Sequence, residues 1–74
     1  MTVKVISPEK VLFNGEAECV SVPGTSGQFE VLQNHAPIIS SLEKGVVSVG
    51  DQTFEIVSGF IEVRDNQVDI CVEC

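Results

Sequence analysis

The sequence predicts an all-β domain in which about nine short strands form a flattened sandwich or barrel. Val and Ile together number 19, whereas Ala, Leu and Met together number six. β-Branched side chains pack well on a pleated sheet and lose entropy in a helix. No window of about eleven residues carries apolar side chains at the helical i, i+3, i+4, i+7 spacing. Because 74 residues suffice for one small domain, we expect residues 1–74 to form a single β-sandwich unit.

Turn residues delimit the strands at intervals of about eight residues. Ser7-Pro8 closes the first strand, Asn14-Gly15 is a hairpin-turn dipeptide that ends the second, and Pro23-Gly24 stops the third. Gly50-Asp51 turns the chain between the sixth and seventh strands, and Asp65-Asn66 is a two-residue turn before the ninth. The predicted strands are residues 2–7, 11–13, 16–22, 29–32, 38–42, 46–49, 53–57, 60–63 and 68–72.

The acidic composition argues against several classes of function. The chain has 11 Asp and Glu against 4 Lys and Arg, a net charge of −7. With no basic stripe to neutralise phosphates, we expect no binding to nucleic acid and no direct insertion into lipid. No apolar stretch approaches the ~20 residues of a membrane-spanning helix, and the alternating first residues do not resemble a secretory signal. We therefore expect a soluble, cytosolic protein.

The three cysteines are predicted to be reduced and structural. Cys71 and Cys74 form a C-x-x-C pair, so a metal or redox site is an alternative. Residues 68–73 alternate between apolar and polar as a strand does, and strand residues three apart point to opposite faces. A zinc site would need further ligands, and only Cys19 and His35 remain. We expect no metal and no cofactor.

Residues 22–40 interrupt the rhythm of short strands and hold the only histidine. Gly24 and Gly27 bracket a turn that is expected to need a positive φ at one or both positions. Pro37 restricts its own φ and the residue before it, so residues 34–37 cannot be helical. A rigid loop on a small β scaffold is where binding surfaces tend to be built.

His35 has two possible roles. It can fix the loop by donating to a nearby carbonyl, or it can act as a catalytic base. The candidate nucleophiles for the second role are Ser26, Ser40 and Cys19, and none lies in a strained G-x-S-x-G elbow. We therefore expect no catalytic residue and a structural or contact role for His35.

Six motifs, taken in order, resemble those of one known family. They are V-x-V-I-S-P-E-K-V-L-F-N-G at residues 3–15, V-x-V-P-G-T-S-G-Q-F-E-V-L at 20–32, N-H-A-P-I-I-S at 34–40, L-x-x-G-V-V at 42–47, I-V-S-G-F-I-E-V at 56–63 and D-N-Q-V-D-I at 65–70. With this order and spacing, the chain resembles the epsilon-subunit family of rotary ATP synthases, the counterpart of the mitochondrial delta subunit.

The resemblance implies a sandwich of two five-stranded sheets, one strand more than the turn residues delimit. It also implies a non-catalytic central-stalk subunit, not an enzyme. The family's β-sandwich domain docks on the gamma subunit and on the c-ring, and it couples proton-driven rotation to ATP synthesis. The implied location is the cytoplasmic face of the bacterial plasma membrane, within a peripheral membrane complex.

The resemblance also assigns contact residues to two partners. The turn at residues 24–29 matches the loop that faces the c-ring, which puts Thr25, Ser26, Gln28 and Phe29 on the c-ring side. Gln28 stands where many members have an acidic residue, so we expect a hydrogen bond there in place of an ionic contact.

On the gamma side, the matching residues are Ser7, His35 and Pro37. Glu30 and Gln33 replace a Gly and a Pro that are common in the family, so the path of this loop is expected to differ slightly.

Family members typically continue into a two-helix regulatory domain, and this sequence stops at Cys74. We expect a coupling element without that domain. One alternative is a free-standing β-sandwich binding module that recognises a peptide at an exposed edge strand. Another is a small cysteine- or zinc-dependent enzyme, which a chelator would unfold or inactivate.

Overall fold

The computed structural model describes all 74 residues as nine strands without a helix. The all-β prediction is confirmed, with the lower of the two expected strand numbers. No helical segment has the length and hydropathy needed to traverse a bilayer. The strands are β1 (Thr2–Ile6), β2 (Val11–Glu16), β3 (Cys19–Gly24), β4 (Gly27–Leu32), β5 (Ile38–Leu42), β6 (Gly45–Val49), β7 (Gln52–Ile56), β8 (Ser58–Arg64) and β9 (Gln67–Glu73).

The strands form one continuous sheet that curls into two facing layers. The first layer has the order β2-β1-β9-β8-β5, and the second has the order β4-β3-β6-β7. The layers join where β5 meets β3 through a single register pair, Leu42 with Gly24. The two expected sheets are therefore halves of one hydrogen-bonded sheet. The β1–β9 pair is parallel, and every other pair is antiparallel.

The core is an aliphatic layer between the two halves of the sheet. Its side chains alternate with outward-facing ones because successive strand residues point to opposite faces. No polar or charged side chain is buried, and Ile61 and Ile70 are the largest fully buried ones. The accessible surface is 4472 Å², against about 4,450 Å² expected for a monomer of this mass. The core residues are Met1, Val3, Val5, Val20, Val22, Val31, Leu42, Val47, Val49, Ile56, Ile61, Val63, Val68, Ile70 and Val72.

Asn14-Gly15 is not the predicted turn. Both residues lie inside β2, where Asn14 pairs with Lys4 and Gly15 with Val3 of β1. The chain leaves the strand only after Glu16. Pairing with β1 therefore overrides the local preference of an Asn-Gly dipeptide for a turn.

The third strand includes Pro23-Gly24 and ends at Gly24, two residues later than predicted. Pro23 pairs with Gln28 and Gly24 with Gly27 of β4, so the hairpin is longer than predicted. Proline has no N–H to donate to a ladder. Its carbonyl is used here, accepting from the backbone N–H of Glu43 at 2.9 Å.

The two-residue turns at Gly50-Asp51 and Asp65-Asn66 are confirmed. Asp65 has φ 52° and Asn66 has φ 62°, the pair of positive values that a type I′ hairpin turn requires. The Asn66 side chain accepts from the backbone N–H of Asn34 at 2.9 Å. The Asn66 carbonyl accepts from the N–H of Thr2 at 3.2 Å. This turn therefore holds the β4–β5 loop beside the start of β1.

Candidate partner-binding site

The hairpin between β3 and β4 turns through Thr25 and Ser26, and it holds all four residues expected on the c-ring side. The positive φ expected in this turn occurs at Gly27, with a value of 129°, and not at Gly24. Gly24 is buried, and glycine is needed there for a different reason: a Cβ would lie 2.7 Å from Cε1 of Phe29 and 2.8 Å from the Gly27 carbonyl oxygen. Gly27 therefore allows the sharp turn, and Gly24 allows the close contact with the Phe29 ring.

Hydrogen bonds fix this hairpin to its neighbours. The Thr25 N–H donates to the Ser41 carbonyl at 3.1 Å, and the Thr25 and Ser41 hydroxyls are 3.1 Å apart. The Gln28 side-chain amide donates to the Ser21 hydroxyl at 2.8 Å. Thr25, Ser26 and Gln28 are exposed. The tip therefore presents polar groups on a rigid support.

Phe29 differs from the other three residues of the tip. Its side chain is half-buried and packs against the core cluster, beside Gly24. The ring therefore supports the hairpin from below.

His35 and its neighbours lie at the opposite end of β4 from the hairpin tip. The half-buried His35 ring places Nδ1 2.6 Å from the Ala36 carbonyl oxygen, and since a carbonyl only accepts, Nδ1 donates. The backbone N–H of His35 donates to the Leu32 carbonyl at 3.2 Å. Both contacts correspond to the loop-fixing role expected from the sequence.

None of the candidate nucleophiles is hydrogen-bonded to the His35 ring, whose Nδ1 contacts the Ala36 carbonyl. Ser26 lies at the hairpin tip, at the far end of β4. The Ser40 hydroxyl donates to the carbonyl of its neighbour Ser41 at 3.1 Å. Cys19 is exposed at the start of β3, where it pairs with Leu32 of β4 and makes no side-chain hydrogen bond. No three His, Cys, Asp or Glu side chains converge to ligate one metal ion.

Ser7 organises the turn between β1 and β2. Its hydroxyl accepts from the N–H groups of Glu9 and Lys10 at 3.4 and 3.3 Å, and it is 3.3 Å from the Lys10 carbonyl, to which it can donate. Ser7 follows Ile6, which pairs with Cys71, whereas Asn34 is bonded to the Asn66 turn that precedes Gln67. Ser7 and His35 therefore lie at opposite ends of the first layer, about 16 Å apart along the strands at ~3.3 Å per residue. The three residues expected on the gamma side do not form one cluster.

Exposed apolar side chains on the first layer are the feature that sequence reasoning missed. Ile39 is 74% exposed, Val11 53% and Phe60 50%. A signal existed in the doublets Ile38-Ile39 and Phe60-Ile61, because one member of an apolar pair in a strand must face outward. Which member does so depends on the register, which the sequence does not give.

One carboxyl group has a clearly perturbed titration. The Thr2 hydroxyl donates to Oε2 of Glu16 at 2.7 Å and holds the pKa of that carboxyl below its ordinary value of 4.5. The N-terminal ammonium, 3.5 Å from Oε1, adds a smaller effect in the same direction. The same ammonium donates to Oε1 of Gln33 at 2.6 Å, which links the start of β1 to the loop after β4.

Comparisons with known proteins give a consistent result. The family described as "ATP synthase, Delta/Epsilon chain, beta-sandwich domain" matches residues 1–74. An ATP synthase epsilon chain from Leptospira borgpetersenii is 43% identical over 77 residues, covering 99% of this chain and 61% of that protein. One from Chlorobaculum tepidum is 36% identical over 77 residues, covering 97% of this chain and 88% of that protein.

Two solved structures share the fold. A chain of the Tetrahymena thermophila mitochondrial ATP synthase central stalk and c-ring matches with a TM-score of 0.90 at 16% identity, covering 100% of this chain and 63% of that one. A chain of the Euglena gracilis mitochondrial ATP synthase matches with a TM-score of 0.85 at 21% identity, covering 95% and 48%. The chain thus spans about three fifths of the leptospiral relative's length.

Proposed function

The chain belongs to the delta/epsilon family of ATP synthase chains, as its β-sandwich domain, and from this premise we propose that it is a non-catalytic central-stalk subunit of a proton-translocating rotary ATP synthase. It docks on the gamma subunit and on the c-ring, and it couples proton-driven rotation of the ring to ATP synthesis. The relatives from Leptospira and Chlorobaculum are bacterial, so we place the complex at the cytoplasmic face of the plasma membrane.

The set of contacts that holds the β3–β4 hairpin is the observation that carries this proposal. A rotor element transmits torque only if its contacts do not deform under load. Three hydrogen bonds join the hairpin to β5 and to the residue after it: the Thr25 N–H and hydroxyl bond the Ser41 carbonyl and hydroxyl, and the Glu43 N–H bonds the Pro23 carbonyl. The Phe29 ring fills the space over Gly24. Removing one of these contacts would loosen the hairpin tip without altering any chemically reactive group.

At the c-ring side, the hydroxyls of Thr25 and Ser26 and the amide of Gln28 would make the contacts. All three side chains are exposed and uncharged, which favours hydrogen bonds over ion pairs. Phe29 is assigned the supporting role, because its ring packs inward. On the gamma side we propose Ser7, His35 and Pro37, with the His35 ring held by its bond to the Ala36 carbonyl.

Cross-linking tests the orientation of the domain. In a background with the native cysteines replaced, Ser26→Cys should cross-link to a c subunit in the assembled enzyme through a short bifunctional thiol reagent. Asp51→Cys is the matched control, because it also lies in an exposed two-residue turn but at the other end of the second layer. Equal cross-linking at both sites, or none at Ser26→Cys, would reject the assignment of the tip.

Binding to gamma tests the role itself. The chain should co-purify with the cognate gamma subunit, and a free-standing binding module should not. Assembled enzyme that lacks the chain should lose proton-driven ATP synthesis and regain it when the chain is added. Failure of both measurements would leave the free-standing module as the better description.

A further inference from the structure

The loop between β4 and β5, residues 33–37, crosses from the second layer to the first without pairing to any strand. Asn34 has φ 61°, in the left-handed region that asparagine tolerates better than most residues. Two hydrogen bonds hold the first two residues of the loop. The Asn34 N–H donates to Oδ1 of Asn66 at 2.9 Å, and Oε1 of Gln33 accepts from the Met1 nitrogen at 2.6 Å. Each bond joins residues 32 positions apart, so the rest of the domain fixes the loop.

Asn66 holds the loop from a turn that is itself well supported. Its φ of 62° belongs to the two-residue turn between β8 and β9, which pair at every position from Ser58 to Arg64. The Asn66 carbonyl accepts from the N–H of Thr2 at 3.2 Å. The backbone of Asn66 therefore serves the turn, and its side chain serves the loop. A substitution at this position can remove the loop contact and leave the turn in place.

The loop presents one hydrogen-bonding atom of His35 to the outside. Because Nδ1 donates to the Ala36 carbonyl, Nε2 of the neutral ring carries the free lone pair and is an acceptor. Every buried side-chain nitrogen and oxygen has a hydrogen-bond partner within the chain. Nε2 has no such partner and is therefore open to solvent. The group that fits this atom is an N–H or O–H donor on another protein.

We propose that Asn66 is a positioning residue for binding of the gamma subunit: by holding Asn34 it sets the direction in which His35 presents Nε2 to a donor on gamma. This rests on the proposed function, which places His35 on the gamma side. Asn34 directly precedes His35, so loss of the anchor frees the backbone dihedrals that aim the ring. Ordering a free loop on binding costs conformational entropy. The anchor therefore favours binding without any contact between Asn66 and gamma.

The test measures the affinity of the 74-residue chain for purified gamma subunit, at a temperature where melting curves show that every variant is folded. Asn66→Gly removes the acceptor and keeps a residue suited to positive φ, and it should weaken binding about threefold to tenfold. Asn66→Asp keeps an oxygen acceptor and should bind within about twofold of the unmodified chain. Asp65→Gly is the matched control, because Asp65 has φ 52° in the same turn and Asn66 makes the bond to the loop; its affinity should also stay within about twofold.

A double variant tests whether Asn66 acts through His35. His35→Asn keeps an N–H donor near the position of Nδ1 and removes the acceptor at the position of Nε2, so it should weaken binding about threefold to tenfold. Adding Asn66→Gly to His35→Asn should then weaken binding by less than about twofold more. Amide exchange gives a readout on the free chain. Asn66→Gly should speed exchange at Asn34 and leave exchange at Ile70, in the core, unchanged.

The possible outcomes separate the inference from the function. If Asn66→Gly binds gamma as tightly as the unmodified chain does, the side chain has only a structural role and the inference is wrong, even if the melting temperature falls. Fully additive losses in the double variant would also overturn it, because Asn66 would then act independently of His35. If the unmodified chain does not bind gamma, the proposed function itself fails.

Discussion

Replacing Gly24 by alanine should destabilise the domain by about 2 kcal/mol, through steric overlap and without loss of any hydrogen bond. The added Cβ would lie 2.7 Å from Cε1 of Phe29 and 2.8 Å from the Gly27 carbonyl oxygen. Overpacking of this kind costs roughly 1–3 kcal/mol. The middle of that range is appropriate because the ring can tilt, whereas the carbonyl belongs to the turn itself and cannot move alone.

Gly15→Ala is the matched control for this substitution. Gly15 also lies in a strand, and its nearest neighbour would be Cζ of Phe13 at 3.7 Å, an ordinary contact. Alanine loses less conformational freedom on folding than glycine does, so Gly15→Ala should be neutral or more stable by up to about 0.5–1 kcal/mol. The two variants make the same chemical change, and only Gly24→Ala should destabilise the domain.

Thermal and urea unfolding provide the assay. For a domain of this size 1 kcal/mol shifts the melting temperature by roughly 4–8 °C, so Gly24→Ala should melt about 8–16 °C below the unmodified chain. Adding Phe29→Leu shortens the overlapping ring, and the double variant should be less destabilised than the sum of the single ones. A Gly24→Ala chain within about 0.5 kcal/mol of the original would refute the reasoning.

Three further predictions follow from other parts of the molecule. Ile61→Ala removes a fully buried core side chain and should lower the free energy of unfolding by about 2–5 kcal/mol in urea titration. Asn66→Ala removes the acceptor for the Asn34 N–H and places alanine at φ 62°, and should cost about 1–3 kcal/mol, with faster amide exchange at Asn34. Because the folded-state pKa of Glu16 is lowered, its carboxylate stabilises the fold above pH 4.5, and this contribution is lost as the pH falls through the folded-state pKa. Glu16→Gln should therefore be less stable than the original at pH 7, with the gap closing in acid; a pH-independent gap would contradict this.

Local features of the fold were predictable, and non-local ones were not. Asp65-Asn66 forms its turn from the conformational preferences of those two residues, and residues 68–72 alternate as a strand that the structure confirms. Asn14-Gly15 has an equally strong turn preference but pairs with β1, and nothing within residues 11–16 encodes that partner.

The same limit applies to the candidate site. The expected positive φ occurs at Gly27, where the tight turn demands it. The need for glycine at position 24 comes from the Phe29 ring on the opposite strand. The separation of Ser7 from His35 follows from the parallel pairing of β1 with β9, and so does the alignment of Ile6 with Cys71. The register of β1 with β9 does not follow from the sequence of either strand alone.

The parallel pairing of β1 with β9 also constrains how the domain forms on the ribosome. Thr2 pairs with Gln67, so β1 and β9 can pair only after about 65 further residues have been synthesised. At ~5–20 residues per second this takes roughly 3–13 s. Until then the β1–β2 hairpin has an unpaired edge along β1. Pairing between residues so distant in sequence slows folding, so the first layer is completed late. A nascent chain stalled before β9 would depend on chaperones to stay free of aggregation.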